Sequence, residues 1–224
     1  MKDLRYCSIN MFYLILIRIT FSFIVASLIS YRGLKKKRLS ISGALSAWFV
    51  GFITGLSGFR FFSCLIIFYF SSSKLTKFGY KIKYKVQDEY EIGEGNRNYL
   101  QVLCSSLSAV IASLFYITNF GFADHLVKFY DPFNPNSNLA STITCFIVGF
   151  YGACNGDTWA SELGILSKQK PRYIFNPWST VPAGTNGGVT LLGNIGSIMG
   201  GTLIGLVAYI AGSFTISSYF VSCR

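Results

Sequence analysis

The side chains of this sequence that could do chemistry are concentrated in residues 152–190. They comprise two carboxylates, an amide and three cations: Asp157, Glu162, Asn155, Lys168, Lys170 and Arg172. A glycine-rich turn at residues 184–188 follows them and leads into an apolar run. Long apolar segments lie on both sides of the stretch. Polar groups at this density between hydrophobic segments predict a functional site.

Asn155, Asp157 and Glu162 carry the oxygen donors that Mg²⁺ prefers. Proteins hold Mg²⁺ through one or two carboxylates while substrate phosphates complete its coordination. We therefore predict that these three residues form a catalytic magnesium site. In a continuous helix, Asn155 and Glu162 would share one face and Asp157 would point elsewhere. Gly156 allows a break at this point, so the sequence leaves the geometry open, and an N-cap of a following helix is the alternative role for Asp157.

The turn before the last apolar run predicts a phosphate-binding element. It consists of Gly184, Thr185, Asn186, Gly187 and Gly188. Backbone N–H groups at the start of a helix attract anions, and glycines allow a phosphate to approach closely. The spacing is not that of a P-loop, and the alternative is a simple turn at the start of a helix.

Lys168 and Arg172 are predicted to add positive charge to this phosphate site. Their alternative role is that of basic anchors beside a membrane-spanning helix. Carboxylates, cations and an N–H cradle together indicate phosphoryl transfer, which depends mainly on positioning and charge neutralisation. The single histidine, His125, falls in a loop predicted on the other side of the membrane, so no serine–histidine or cysteine–histidine nucleophile is expected.

Composition indicates an integral membrane protein. Of 224 residues, 51% are hydrophobic and only 13% are charged, and the mean hydropathy is +0.45. The formal net charge of +11 could suggest a nucleic-acid partner. However, the basic residues form short clusters between apolar segments, a pattern typical of loops beside a membrane. We expect a bilayer and no nucleic acid as the partner.

Six apolar segments predict membrane-spanning helices. They cover residues 11–31, 39–58, 59–73, 102–122, 139–154 and 189–212. The expected fold is an all-α, polytopic helical bundle forming one membrane domain over residues 1–224. The last residues, 213–224, resemble a helix that has just begun or been cut, which predicts a truncated C-terminus.

The distribution of Lys and Arg predicts which loops are cytoplasmic. Loops 32–38, 74–98 and 157–188 are rich in these residues, whereas the alternate loops hold only Arg60 and Lys128. Positively charged loops stay in the cytoplasm. The predicted site therefore opens on the cytoplasmic face, where soluble nucleotides are available. Within the second loop, residues 80–86 alternate and predict either a segment at the lipid headgroups or a short strand.

Three segments resemble the transmembrane protein 19 family of integral membrane proteins, which includes phytyl-phosphate kinase. The segments are NGDTWASELG at 155–164 with SKQKPR after it, VPAGTNGGVT at 181–190, and NRNYLQVL at 96–103. The resemblance implies a kinase that uses a nucleotide triphosphate, CTP or ATP, and Mg²⁺ to convert a phytyl or polyprenyl monophosphate to the diphosphate. Among the residues matching family motifs, Arg97 is implied as a further phosphate-binding residue.

A membrane-embedded lipid-phosphate kinase is therefore the first functional hypothesis. Its phosphate acceptor is already ionised, so no strong general base is required. A transporter or channel lined by polar residues is the second, because glycine-rich breaks in helices also form ion sites. A non-catalytic membrane protein is the third.

Overall fold

The computed structural model describes residues 2–79, 96–122, 127 and 135–222. The lysine-rich loop at 80–95 and the loop that holds His125 lie outside these ranges, so the alternatives for residues 80–86 are not decided. The described part is mostly helical, as predicted. Its helices are α1 Lys2–Lys35, α2 Ile41–Ser57, α3 Phe59–Lys77, α4 Tyr99–Cys104, α5 Leu107–Phe120, α6 Pro135–Gly164 and α7 Leu191–Ser222.

Three helices in the described part are long and apolar enough to cross a membrane. The candidate spans are Ile15–Lys35 in α1, Asn136–Gly164 in α6 and Leu191–Phe214 in α7. α2 and α5 are apolar but shorter, and α3 carries Arg60, Lys74 and Lys77. The helical membrane fold is therefore confirmed. Three of the six predicted spans meet the length and hydropathy expected of a membrane crossing, and the other three correspond to shorter or more polar helices.

The predicted fourth span, 102–122, is wrong as a single helix. α4 ends at Cys104 and α5 begins at Leu107. The Ser105 hydroxyl donates to the Gln101 carbonyl at 3.0 Å, and the Ser106 hydroxyl donates to the Val102 carbonyl at 2.6 Å. Serine side chains that bond nearby backbone groups offer the chain an alternative to the helical pattern. Ser106 leaves the helical conformation, with φ −147° and ψ −19°.

Two further predicted boundaries are wrong. The fifth span was expected to end at residue 154, but α6 continues to Gly164 and carries all three predicted magnesium ligands. The sixth was expected to end at 212, with a new helix after it, but α7 is one helix to Ser222. Gly212 does not interrupt α7, because a single glycine lowers helix stability by only about 1 kcal/mol relative to alanine.

Glycines allow α6 and α7 to pack closely. A Cβ atom at Gly200 of α7 would lie 3.0 Å from the Asn155 carbonyl oxygen and 3.1 Å from the Gly156 Cα atom. Nearer the cavity described below, a Cβ atom at Gly193 would lie 3.4 Å from the Gly164 Cα atom. In membrane helices, where no hydrophobic effect drives association, such small residues let backbones approach and gain dispersion energy. This contact fixes α7 against the C-terminal half of α6.

Three basic segments meet at one end of the helical bundle. The Arg97 N–H donates to the Arg38 carbonyl at 3.0 Å, and the Ser40 N–H donates to the Arg97 carbonyl at 3.1 Å. The positive charge of Arg32, then partial desolvation and the charges of Arg38 and Lys77 lower the pKa of the exposed Lys36 side chain. Leu166, in the third segment, lies against Gly79 after α3, since a Cβ atom at Gly79 would be 2.6 Å from its Cδ2 atom. The three segments therefore converge within the described residues.

The connection between α6 and α7 contains a small sheet that the sequence did not predict. Its strands are β1 Arg172–Tyr173, β2 Asn176–Thr180 and β3 Gly188–Val189. β1 lies between the other two and pairs antiparallel with both. β1 and β2 form a hairpin, and β3 leads back to α7. The sheet holds the glycine turn beside the end of α6.

Candidate functional site

A cavity of about 440 Å³ lies between the C-terminal part of α6, the start of α7 and the glycine turn. Asp157 and Ser161 of α6 line one wall. The whole predicted turn and Asn194 of α7 also line the cavity. The cavity therefore brings one of the two predicted carboxylates to the predicted phosphate-binding element.

Asp157 lies in the interior of α6, seven residues before its end. The alternative that Asp157 is an N-cap is therefore wrong, because its own backbone is helical and no helix begins there. Its side chain is exposed and lines the cavity. No hydrogen bond or ion pair joins its carboxylate to another residue in the part of the chain that the structure describes. A carboxylate without such a partner in a membrane-spanning helix is typical of a functional position.

The glycine turn presents free backbone donors to the cavity. Gly184 and Gly187 have φ of +88° and +79°, a conformation that glycine adopts without strain. The Thr185 N–H donates to the Pro182 carbonyl, and the Gly188 N–H donates to the Thr185 carbonyl at 2.9 Å. The N–H groups of the three remaining turn residues, Gly184, Asn186 and Gly187, make no hydrogen bond to a described residue. Free N–H groups of a glycine turn, two of them on the neighbouring residues Asn186 and Gly187, can bind an anion.

The turn does not run directly into a helix, as the sequence had suggested. β3 intervenes, and Thr190 caps α7 by accepting a hydrogen bond from the Gly193 N–H at 3.0 Å. The Thr190 hydroxyl also lies 3.5 Å from the Gly164 carbonyl oxygen, at the end of α6. Because this cap already uses the Gly193 N–H, the anion-binding capacity resides mainly in the turn and less in the helix terminus.

Asn155 does not line the cavity. It is 0% exposed, and its Nδ2 donates to the Gly200 carbonyl of α7 at 2.8 Å. Its Oδ1 accepts hydrogen bonds from Ser71 at 2.8 Å and Ser72 at 3.3 Å, both on α3. The prediction of Asn155 as a metal ligand is therefore corrected: its buried amide oxygen and an N–H of its amide join α3, α6 and α7.

Glu162 also lies away from the cavity. It shares the helix face of Asn155, since seven residues make nearly two turns. Asp157 is turned away from Asn155 by about 160° around the helix. Glu162 instead lies near Arg97. Burial lowers the pKa of Arg97, and the neighbouring Tyr69 and Glu162 partly oppose that change. The structure thus separates the predicted site across α6, with Asp157 on one side and Arg97 with Glu162 on the other.

Arg97 lines a second, smaller cavity of about 70 Å³ between α1, α2, α3 and α4. The walls of this cavity are mainly apolar, with Tyr69 beside the guanidinium. The backbone of Arg97 forms a parallel bridge with Leu39. A Cβ atom at Gly43 would collide with the Arg97 carbonyl oxygen, so this junction requires glycine in α2. Arg97 is therefore built into the packing of α2 and α4.

The predicted cations lie in the connection beside the cavity. Lys168 and Lys170 are exposed, and neither lines the cavity. Arg172 lies in β1, where its Nη1 donates to the Pro177 carbonyl at 3.1 Å and supports the hairpin. These cations can raise the local concentration of anions, but none contacts the glycine turn through a described hydrogen bond.

Ser161 and Asn194 are cavity residues that sequence reasoning missed. Ser161 lies four residues after Asp157 and therefore on the same face of a helix. Asn194 lies in the first turn of α7, where its amide can reach the cavity. The signal for Ser161 was present in the spacing, but only once α6 is known to continue past residue 157.

A magnesium ion fits the cavity only with Asp157 as its single carboxylate ligand. Among the described residues, no group of three or more His, Cys, Asp or Glu side chains could hold a metal ion. Mg²⁺ needs only one or two carboxylates when substrate phosphates and waters complete its octahedron. Asp157 with oxygen atoms of Ser161 or Asn194 is a donor set of that kind.

Comparisons with known proteins give the family. The sequence pattern of the family described as "Integral membrane protein DUF92" matches residues 24–223. This chain belongs to the DUF92 family of integral membrane proteins.

Two relatives match most of the chain. Protein PGR of Arabidopsis thaliana is 40% identical over 200 residues, which cover 89% of this chain and 67% of the relative. The uncharacterized membrane protein MJ0933 of Methanocaldococcus jannaschii is 29% identical over 197 residues, 87% of this chain and 72% of the relative. No solved structure matches the chain.

Proposed function

We propose that this DUF92 protein is a membrane-embedded kinase that transfers a phosphoryl group from a nucleotide to a prenyl or phytyl monophosphate. The observation that supports the proposal is the cavity lined by both Asp157 and the glycine turn. Among the described residues, the Asp157 carboxylate and the N–H groups of Gly184, Asn186 and Gly187 have no hydrogen-bond partner. An acid that can hold a metal ion and a cradle that can hold phosphate are the two parts that phosphoryl transfer requires. The choice of a prenyl or phytyl monophosphate as the substrate rests on the resemblance to the transmembrane protein 19 family.

The glycine turn binds the terminal phosphates of the nucleotide through the N–H groups of Gly184, Asn186 and Gly187. Their positions are fixed by the β-sheet and by the Thr190 cap, so little reorganisation accompanies binding. The exposed Lys168, Lys170 and Arg172 attract the anionic nucleotide to the end of the bundle. This end is cytoplasmic in the proposal, because the basic segments meet there.

The acceptor oxygen of the lipid monophosphate attacks the γ-phosphorus of the nucleotide. The bond from that phosphorus to the bridging oxygen breaks, and the nucleoside diphosphate leaves. The acceptor is already ionised, so no residue has to remove a proton. Asp157 would hold Mg²⁺, which when bound neutralises charge on the phosphates. Asp157 lies within the candidate membrane span of α6, so the apolar tail can remain in the membrane.

The proposal gives no direct part in transfer to Asn155, Glu162 or Arg97. Asn155 joins three helices, and Arg97 lies with Glu162 on the other side of α6. We propose that these residues support the site by fixing α6 against α3 and the start of α4.

The test compares two carboxylates of α6. Purified protein in detergent is incubated with γ-labelled CTP or ATP, a prenyl monophosphate and increasing Mg²⁺. Asp157→Asn should lower turnover by about 10² or more, since removal of one charge-stabilising group has effects of that size. Glu162→Gln, the matched control, should remain within a few-fold of the wild type.

Melting curves of both variants show whether folding is preserved. Near-normal turnover of Asp157→Asn would remove Asp157 from the reaction and refute the proposal. Passage of labelled prenyl phosphate across proteoliposomes without diphosphate formation would support a transporter instead.

A further inference from the structure

The β1–β2 hairpin exposes large apolar side chains outside the membrane-spanning helices. Trp178 in β2 is 91% exposed and Phe175 between the strands is 84% exposed. Ile174 beside them is 57% exposed. Aromatic rings are seldom left this open to water in a cluster, and such patches usually mark an interaction surface.

Phe175 and Trp178 are called the hairpin tip below. The connection between α6 and α7, which carries this tip, has only positively charged side chains. Between Gly164 and Leu191 it contains Lys168, Lys170 and Arg172 and no Asp or Glu. All three cations are exposed. A surface that combines open aromatic rings with unopposed cations is complementary to an apolar layer covered by anionic groups.

The connection is held close to the bilayer at both ends. It joins α6 to α7, and both helices carry candidate membrane spans that reach Gly164 and begin at Leu191. The longer strand, β2, has five residues and so extends about 17 Å at most. The tip therefore stays within reach of the lipid headgroups, where tryptophan is enriched in membrane proteins.

We propose that the hairpin tip, Phe175 and Trp178, inserts into the headgroup region of an anionic lipid leaflet, with Lys168 and Lys170 at the lipid phosphates. Each basic residue near such a surface contributes about 1 kcal/mol of attraction. The rings provide the apolar part of the contact, and the short strands provide a rigid support.

Insertion of the tip would also position the cavity. The Ile174 N–H donates to the Gly187 carbonyl at 2.9 Å. Gly187 lies over the Tyr173 ring, since a Cβ atom there would be 3.1 Å from its Cε2 atom. The hairpin and the glycine turn therefore form one unit. An inserted tip holds the phosphate-binding wall at the height of the lipid headgroups.

The experiment measures the environment of Trp178 in nanodiscs. Emission of the Trp178→Phe variant, which retains Trp48 and Trp159, is subtracted from that of the wild type to isolate Trp178. Lipids brominated near the glycerol end of their chains should quench the Trp178 emission and unbrominated lipids should not. Anionic lipid should strengthen the quenching relative to a zwitterionic bilayer.

The charge contribution is tested with two matched double variants. Lys168→Gln with Lys170→Gln should reduce the quenching in anionic nanodiscs. Lys35→Gln with Lys36→Gln, at the same end of the bundle, should leave it unchanged. Trp178 emission that is quenched fully by aqueous acrylamide and not by brominated lipid would overturn the proposal and indicate a hairpin that faces water or a soluble partner. The measurement uses no nucleotide, so its outcome is independent of phosphoryl transfer.

Discussion

Replacing Asn155 with leucine should destabilise the protein whether or not the protein has kinase activity. The buried amide makes three hydrogen bonds, with Ser71 and Ser72 on α3 and with the Gly200 carbonyl on α7. Leucine has a similar volume but no polar atoms, so the two hydroxyls and the carbonyl lose their shared partner. The three helices would then be joined by packing alone.

The magnitude follows from the hydrogen bonds lost. Hydrogen bonds between membrane helices contribute about 0.6 kcal/mol each on average. Three of them give about 2 kcal/mol, which is a change of about 30-fold in the folding equilibrium. Ser71 has an alternative acceptor in the Phe68 carbonyl, at 3.4 Å, which keeps the loss near this value.

The assay is reversible unfolding in mixed micelles, followed by circular dichroism. Asn194→Leu is the control for stability, because Asn194 is exposed on α7 and surface substitutions usually change stability by less than about 0.5 kcal/mol. An Asn155→Leu variant that unfolds like the wild type but has lost phosphoryl transfer would refute this reasoning, and would return Asn155 to the group of metal ligands.

Four further predictions concern glycines and sidedness. Gly200→Ala should destabilise the protein by about 1–3 kcal/mol because its Cβ atom would press on Asn155 and Trp159, whereas Gly205→Ala, with open space around its Cα, should be nearly neutral in the same unfolding assay. Gly43→Ala should lower the melting temperature, since the new Cβ atom would collide with the Arg97 carbonyl; a melting curve equal to that of the wild type would mean that this junction is looser than described. Gly187→Val should weaken phosphate binding, measured by calorimetry beside a melting curve, because φ is +79° and the Tyr173 ring is close; a folded variant with unchanged binding would leave the turn a structural role only. A cysteine at Lys170 should react with an impermeant reagent from the cytoplasmic side, and reaction from the other side alone would contradict the proposed sidedness.

The sequence predicted the helical membrane fold and the pairing of Asp157 with the glycine turn. Apolar segments of about 20 residues can only be satisfied as helices in a bilayer, so the class follows directly from hydropathy. The turn could be recognised in the sequence because the glycines at 184, 187 and 188 lie among polar residues, a composition typical of turns. The helical spacing also predicted correctly that, in a continuous helix, Asn155 and Glu162 would share one face and Asp157 would lie on another.

The sequence could not decide whether the helix continues through Gly156, because a glycine is compatible with both a break and a close helix contact. In the structure a Cβ atom at Gly156 would lie 3.0 Å from the Ser197 carbonyl oxygen, so the glycine serves packing and α6 continues. The contact residue on the partner helix, Ser197, lies 41 residues after Gly156 in the sequence. Strands β1 and β3, with two residues each, are too short to produce a periodic pattern.

The cavity has a consequence for how the protein is made. Its described lining residues all fall within 157–194, on the end of one helix, the start of the next and the connection between them. During synthesis this helical pair leaves the ribosome after α1–α5 have already been produced. The pair can form its own walls as soon as α7 is in place, since the contacts involved are local in sequence. The earlier helices then lock it through Ser71 and Ser72, so a nascent chain acquires the pocket and its support in two separate events.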